Sequence, residues 1–154
     1  MKNIVGKIIY IFSYPVILLL VKNTHRSYVV LLVDNKVLVT RNWLSNKPIW
    51  RLPGGGLHNQ ELPVFAAVRE LQEETGIKIE ASQLTVLLEN QMHKKHFSYD
   101  IFYCQLHEQP DIKLDNLEIL DAQFIAISDL GTKYQIDEQV AGAVDAIVKK
   151  QSQN

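Results

Sequence analysis

Cysteine is nearly absent from this chain of 154 residues; Cys104 stands alone. That excludes an internal disulfide and a cysteine-built zinc site, and it fits a reducing, cytoplasmic setting. A surplus of either charge is lacking too: 16 Lys and Arg against 17 Asp and Glu leave a formal net charge of -1. A protein that grips a nucleic-acid polymer electrostatically usually shows a strongly basic balance or patch, so no such partner is expected. Repeats, low-complexity tracts and an interdomain linker are missing. With 47% apolar and 21% charged residues, the composition is that of a globular domain, not of a disordered chain, a collagen or a coiled coil. A clean membrane span is missing as well. The apolar run Ile4–Val21 has a charge-free part from Ile8 onward that is shorter than the about 20 residues a spanning helix takes, and Pro15 kinks or breaks it. No small-x-small cleavage site follows, which argues against a secretory signal.

What is there divides in two. Residues 1–22 read as a hydrophobic N-terminal segment, a helix or a helix followed by a strand. Its apolar surface exceeds what monomers usually leave in water, so it is expected to be covered by its own domain or by a second copy in a homodimer. Peripheral membrane contact through residues 4–21, flanked by Lys2, Lys7, Lys22 and Arg26, is the alternative, and would make the protein membrane-associated. Residues 23–154 read as one α+β domain. Ser27–Val33 and Lys36–Thr40 predict a hairpin around Asp34-Asn35. A loop follows over Asn42–Pro48, then a short strand at Trp50–Leu52 stopped by Pro53. Pro63 opens a helix that runs to about Thr75 with Gly76 as its left-handed stop, its buried face made of Val64, Ala67, Val68 and Leu71. Leu84–Glu89 and Phe97–Leu106 predict strands around the polar loop Asn90–His96, a further strand falls near Ala122–Ile127, and Asp137–Lys149 predicts a helix with Val140, Ala143, Val144, Ile147 and Val148 on its buried side.

The chemistry is concentrated in Gly55–Ile77, GGLHNQELPVFAAVRELQEETGI. Glu70, Glu73 and Glu74 stand at i, i+3 and i+4 on one predicted helix and share a face one turn deep. Such carboxylates repel unless something positive lies among them, and Arg69 neutralises only part of that charge. Hard divalent cations bind carboxylate oxygens, and Mg²⁺ completes its shell with water and substrate phosphate. The preceding Pro53-Gly54-Gly55-Gly56 lets backbone approach a ligand closely. Alone, an E-x-x-E-E helix is more often a solvated face, and three glycines are merely a loop.

Their joint spacing is what decides. Gly55-x5-Glu61-x7-Arg69-Glu70-Leu71-x-Glu73-Glu74-x-Gly76-Ile77 fills every defining position of the Nudix box, and the chain resembles the Nudix hydrolases. The resemblance implies a Nudix-type α/β/α sandwich, a mixed sheet between helices, with the N-terminal segment as an extra. It also implies an Mg²⁺- or Mn²⁺-dependent pyrophosphohydrolase that cleaves a nucleoside diphosphate linked to another group by water attack on phosphorus. Glu70 and Glu74 would be metal ligands, Glu73 would bind a second metal or orient water, and the Gly54 carbonyl would be the backbone ligand. Arg69 would hold the carboxylates, and Glu61 would pair with Arg69 and lock the loop. Gly55 and Gly76 would support the site from its two ends. The general base is left open between a box glutamate and Glu118, which resembles the later acid that many members use; Asp115 and Asp121 are weaker candidates for the same place. Leu62 departs from the family where Ser or Thr commonly caps the box helix.

The substrate is less legible. A nucleotide-type small molecule is implied, such as a nucleoside triphosphate, an oxidised nucleotide or a nucleotide sugar. Arg51, His93, Lys94, Lys95 and His96 either grip phosphate or decorate the sheet and a hairpin tip. Trp50, Phe97, Tyr99 and Tyr103 either stack a base or fill the core. The competing class is a non-catalytic Nudix-like domain that senses a nucleotide or binds a protein; such domains usually lose box acids, and this one keeps them.

Overall fold

Tyr28-Val29-Val30-Leu31-Leu32-Val33 has no polar break, and a strand that is apolar on both faces has to be covered on both. In the computed structural model, which describes residues 25–42, 47–93, 97–114 and 119–152, this run is the middle of strand β1 (His25–Val33). Tyr28, Val30 and Leu32 join one core cluster with Val140, Ala143 and Ile147 of helix α2 (Glu138–Ser152). Val29 and Leu31 join the other with Ala67 and Leu71 of helix α1 (Pro63–Thr75). Burying each of these aliphatic side chains is worth about 1.5–3 kcal/mol, so both helices are held by their apolar stripes. The result is the expected mixed sheet between helices. The expected segment 1–22 lies outside the described residues, as do Lys94, Lys95, His96, Asp115 and Glu118. No helix among the described residues is long and apolar enough to cross a membrane.

The remaining strands are β2 (Lys36–Asn42), β3 (Gly54–Gly56), β4 (Thr85–His93), β5 (Phe97–Gln105) and β6 (Ile119–Ala126). Their order is β4-β5-β1-β2-β6, with β3 attached to β1. Only β1 and β5 run parallel. Asp34 and Asn35, with φ of 45° and 60°, make the tight turn between β1 and β2 that such short polar residues tolerate. Past Leu32↔Val37 the two strands part. Residues 51–56 fill the gap: Arg51 exchanges both backbone bonds with Thr40 of β2, Val29 donates to the Pro53 carbonyl, and Gly54–Gly56 pair with Arg26–Tyr28. This seam sets the glycine strand between the two faces of the sheet.

Several boundaries differ from expectation. Trp50 and Arg51 form only isolated bridges, and the strand proper is the glycine triplet. Glycines have little strand propensity, so their pairing comes from the β1 edge beside them. β4 and β6 extend into polar sequence, to His93 and back to Ile119. β4 does so through an irregular register with Asn90 at φ 50°. In α2 the buried stripe is Val140, Ala143 and Ile147; Val148, expected on it, is 48% exposed, because one residue past Ile147 lies about 100° around the helix.

Candidate active site

Helix α1 starts without a side-chain cap. Leu62 occupies the N-cap, exposed, and Pro63 follows. Its end is firmer: Gly76, at φ 71°, donates its N–H to Gln72 O, the left-handed stop that glycine adopts without strain. Thr75 and Ile77 are buried just there. The helix is therefore fixed at the end that carries the acids.

Arg69 organises those acids. Nε and Nη2 donate to the two oxygens of Glu61, each at 2.9 Å. Nη1 donates to Glu70 Oε1 at 2.9 Å and Glu73 Oε2 at 3.2 Å, and Nη2 also reaches the Gly56 carbonyl at 2.9 Å. A guanidinium has five N–H donors in a fixed fork, and here each has an acceptor. The bidentate bond from Arg69 brings the Glu61 carboxyl down to about 2, helped by the His58 N–H; the same bond raises the Arg69 pKa. Glu61 also accepts from His58 N at 2.8 Å, which closes the loop between β3 and α1. The structure thus brings Arg69 and Glu61 together with Glu70 and Glu73.

The other side of the acid face meets the glycine strand. A Cβ built on Gly55 would lie 2.4 Å from Glu70 Oε1, so only glycine admits that carboxylate. The Gly54 N–H donates to Glu74 Oε2 at 3.1 Å, and at φ 149° Gly54 has its own Cβ position blocked by Ser27 O. Glu70 and Glu74 therefore flank the backbone of Gly54-Gly55, while Glu73 is the exposed member of the trio. Among the described residues, no three His, Cys, Asp or Glu side chains converge into a ready cage for a metal ion. The donors present are all hard oxygens, Glu70 at the gap left by the missing Gly55 side chain and Glu74 beside Gly54; such donors fit Mg²⁺ or Mn²⁺, which need few carboxylates when substrate oxygens complete the shell.

Beside this face, on the α2 side of the sheet, opens a cavity of about 230 Å³. Glu74 and Gly54 form one wall of it. Arg51 and His93, both singled out in the sequence, line it too. Arg51 faces Asp137 at 3.9 Å; His93 stacks on Phe97 with centroids 4.7 Å apart and bonds to Glu138. Of the four aromatics weighed for base stacking, Trp50 and Tyr99 are core, Phe97 lines the cavity and Tyr103 packs against the core. Sequence reasoning did not single out Asn42, Asp137 or Gln139 as cavity residues, and it read Arg26 only as a flank of the hydrophobic segment. Asp137 caps α2 through Val140 N at 3.0 Å, a role its place before the helix signalled. Burial pushes its carboxyl above the usual range, against the opposing pull of the Val140 N–H and Arg51. Burial likewise raises Tyr28, against the opposing pull of Arg26.

Residues 23–146, which hold the box helix and the glycine strand, match the NUDIX domain; the chain belongs to that family. Among curated relatives, the human diphosphoinositol polyphosphate phosphohydrolase NUDT4B is 42% identical over 50 residues, which is 32% of this chain and 28% of that protein. The chain thus spans well under two thirds of that relative's length. Among solved structures, a MutT NUDIX hydrolase from Burkholderia pseudomallei superposes with a TM-score of 0.68 at 19% identity, covering 82% of this chain and 98% of that one. A bifunctional NMN adenylyltransferase/ADP ribose pyrophosphatase from Francisella tularensis, complexed with AMP and a Mn ion, gives a TM-score of 0.69 at 20% identity, covering 97% of this chain and 48% of that one. These two likenesses carry the fold.

Proposed function

We propose that this protein is a divalent-metal-dependent hydrolase that cleaves a phosphoanhydride in a small nucleotide-type molecule. The observation that carries this reading is the intact acid face: Glu70 and Glu74 meet the Gly54-Gly55 backbone, and Glu74 and Gly54 line a cavity that also holds Arg51. Glu70 and Glu74 would hold Mg²⁺ or Mn²⁺, with Glu73 and the Gly54 carbonyl as further oxygen donors. When bound, the ion neutralises the anhydride and lowers the pKa of water. The protein's own contribution is positioning. Arg69 keeps the Glu70 and Glu73 carboxylates aimed, Glu61 fixes Arg69, and Arg51, steadied by Asp137, offers its guanidinium to a phosphate oxygen. The proton of the attacking water goes to a carboxylate, for which Glu73 and Glu118 are the two candidates; Glu73→Gln and Glu118→Gln separate them, the true base costing the larger loss of kcat.

The chosen test is turnover on a panel of nucleoside triphosphates, oxidised nucleotides, ADP-ribose, nucleotide sugars and diphosphoinositol polyphosphates, with Mg²⁺, with Mn²⁺ and in chelator. Metal-dependent hydrolysis of at least one member is expected, abolished in Glu74→Gln with the fold intact. Tight binding without hydrolysis across the panel would instead establish the sensing domain.

A further inference from the structure

The α2-side cavity holds a guanidinium that the hydrolytic reading leaves unused. Arg26 lies over the Phe97 ring, its Cζ 4.8 Å from the centroid, and sits against the Tyr28 hydroxyl. It lines the same cavity as Arg51 and Glu74. Its Nε is buried and has no hydrogen-bond partner. Buried donors left without an acceptor are uncommon in native proteins, and a guanidinium cannot shed its charge to escape the cost.

Two other arginines show what is unusual here. Arg41 also lies over an aromatic ring, Trp50 at 5.5 Å, and also has a buried, unbonded Nε. Its charge, however, meets Asp121 at 3.7 Å, and it is not a wall of the cavity. Arg51 does line the cavity, but faces Asp137 at 3.9 Å. Among the described residues Arg26 forms no ion pair. It is a cation placed over Phe97 that makes no direct ion pair with a described residue.

We propose that Arg26 is a substrate-binding residue that sets specificity: its stacked guanidinium takes an anionic oxygen pair, from a phosphate or a carboxylate, on the part of the substrate that enters the α2-side cavity. This rests on the reading of that cavity as the substrate site. It deepens that reading, because substrates whose second moiety is neutral at this wall forgo the contact. Phe97 contributes by holding the guanidinium in place over its ring, and a lysine ammonium there would lack the two-pronged fork.

The test measures binding calorimetrically with the full chain in chelator, where hydrolysis plays no part. The probes are inorganic pyrophosphate and malonate, and the variants are Arg26→Gln, Arg26→Lys and, as a control of equal charge change, Arg41→Gln. Arg26→Gln is expected to weaken binding by about tenfold or more, the scale of a lost charge-assisted bond. Arg26→Lys is expected to fall between it and the wild type, and Arg41→Gln to stay within about twofold. Loss for pyrophosphate alone assigns the contact to phosphate; loss for malonate assigns it to carboxylate as well. Wild-type affinity in Arg26→Gln, equal weakening in Arg41→Gln, or binding of neither probe by the wild type would each overturn the proposal. Should Arg26→Gln fold poorly, the Arg26→Lys measurement decides alone, affinity equal to the wild type overturning it. Absence of metal-dependent turnover over the substrate panel, by contrast, would remove the hydrolytic reading and leave these binding results standing.

Discussion

The two faces of the sheet present opposite kinds of construction. On the α1 side, one stretch from Gly54 to Gly76 supplies the acids, their arginine brace and the glycines that let them close in. On the α2 side, the cavity is drawn from β1, β2, β4, β5, β6 and the start of α2, with Gly54 and Glu74 as the wall it shares with the acid face. The first is contiguous in sequence and is completed by the β1 edge on which its glycines pair. The second exists only after the sheet has formed. The comparison teaches that the acid face is written in one stretch of sequence and the cavity beside it in many, so on the function proposed above each can be disturbed with the other largely in place.

The largest effect is expected from removing the brace. Arg69→Met leaves the Glu61 and Glu70 carboxylates without their cation, and is expected to cost about 2–3 kcal/mol of stability, below the cost of a fully buried broken pair because the group keeps some solvent. Activity should fall as well. Arg69→Lys should rescue little, since an ammonium cannot fill a five-donor fork. Chemical denaturation of the three proteins checks both statements.

Gly55→Ala sharpens the comparison by touching chemistry with little effect on the core. Its Cβ would meet the Glu70 carboxylate at 2.4 Å and push it aside, so turnover should drop about 10- to 100-fold, the range for losing the orientation of a ligating side chain. Thermal melting should change little. Steady-state assays beside a melting curve decide it.

The reason these two positions could be read from sequence is geometric. Glu70, Glu73 and Glu74 share a helix face by spacing alone, and Arg69, Glu61 and Gly55 complete a pattern whose members all touch in the fold. Even the missing cap at Leu62 was visible. Arg26, Asn42, Asp137 and Gln139 meet only because β1 and β2 part and α2 closes over the gap, and no local period records that event. The glycine strand escaped notice for a related reason, since its pairing is dictated by the β1 edge and not by its own propensity.

Acid stability offers a gentler probe of the α1 side. Glu61 titrates near 4.5 when free and about 2 in the folded protein. A depressed carboxyl lends stability that is fully present above the unfolded value and lost as pH falls through the folded one. Stability should therefore decline between about pH 4.5 and 2, and Glu61→Gln should lose that component of the decline. Urea midpoints measured across this range report it.

The smallest effect is expected at the uncapped helix start. Leu62 is 60% exposed and makes no side-chain cap bond, so Leu62→Ser should stabilise the protein by about 0.5–1 kcal/mol through the cap it adds. Catalytic constants should be unchanged, as measured alongside the midpoint shift.

The division of labour between the two faces is tested most directly by one kinetic comparison: kcat and KM for Glu74→Gln and Arg51→Gln, measured on the same substrate with saturating Mg²⁺. Glu74→Gln is expected to lose at least about 100-fold in kcat, with KM near that of the wild type. Arg51→Gln is expected to raise KM about tenfold, with kcat held within a few-fold. Loss of kcat in both, or a KM unmoved by Arg51→Gln, would contradict the separation of chemistry on the α1 side from recognition on the α2 side.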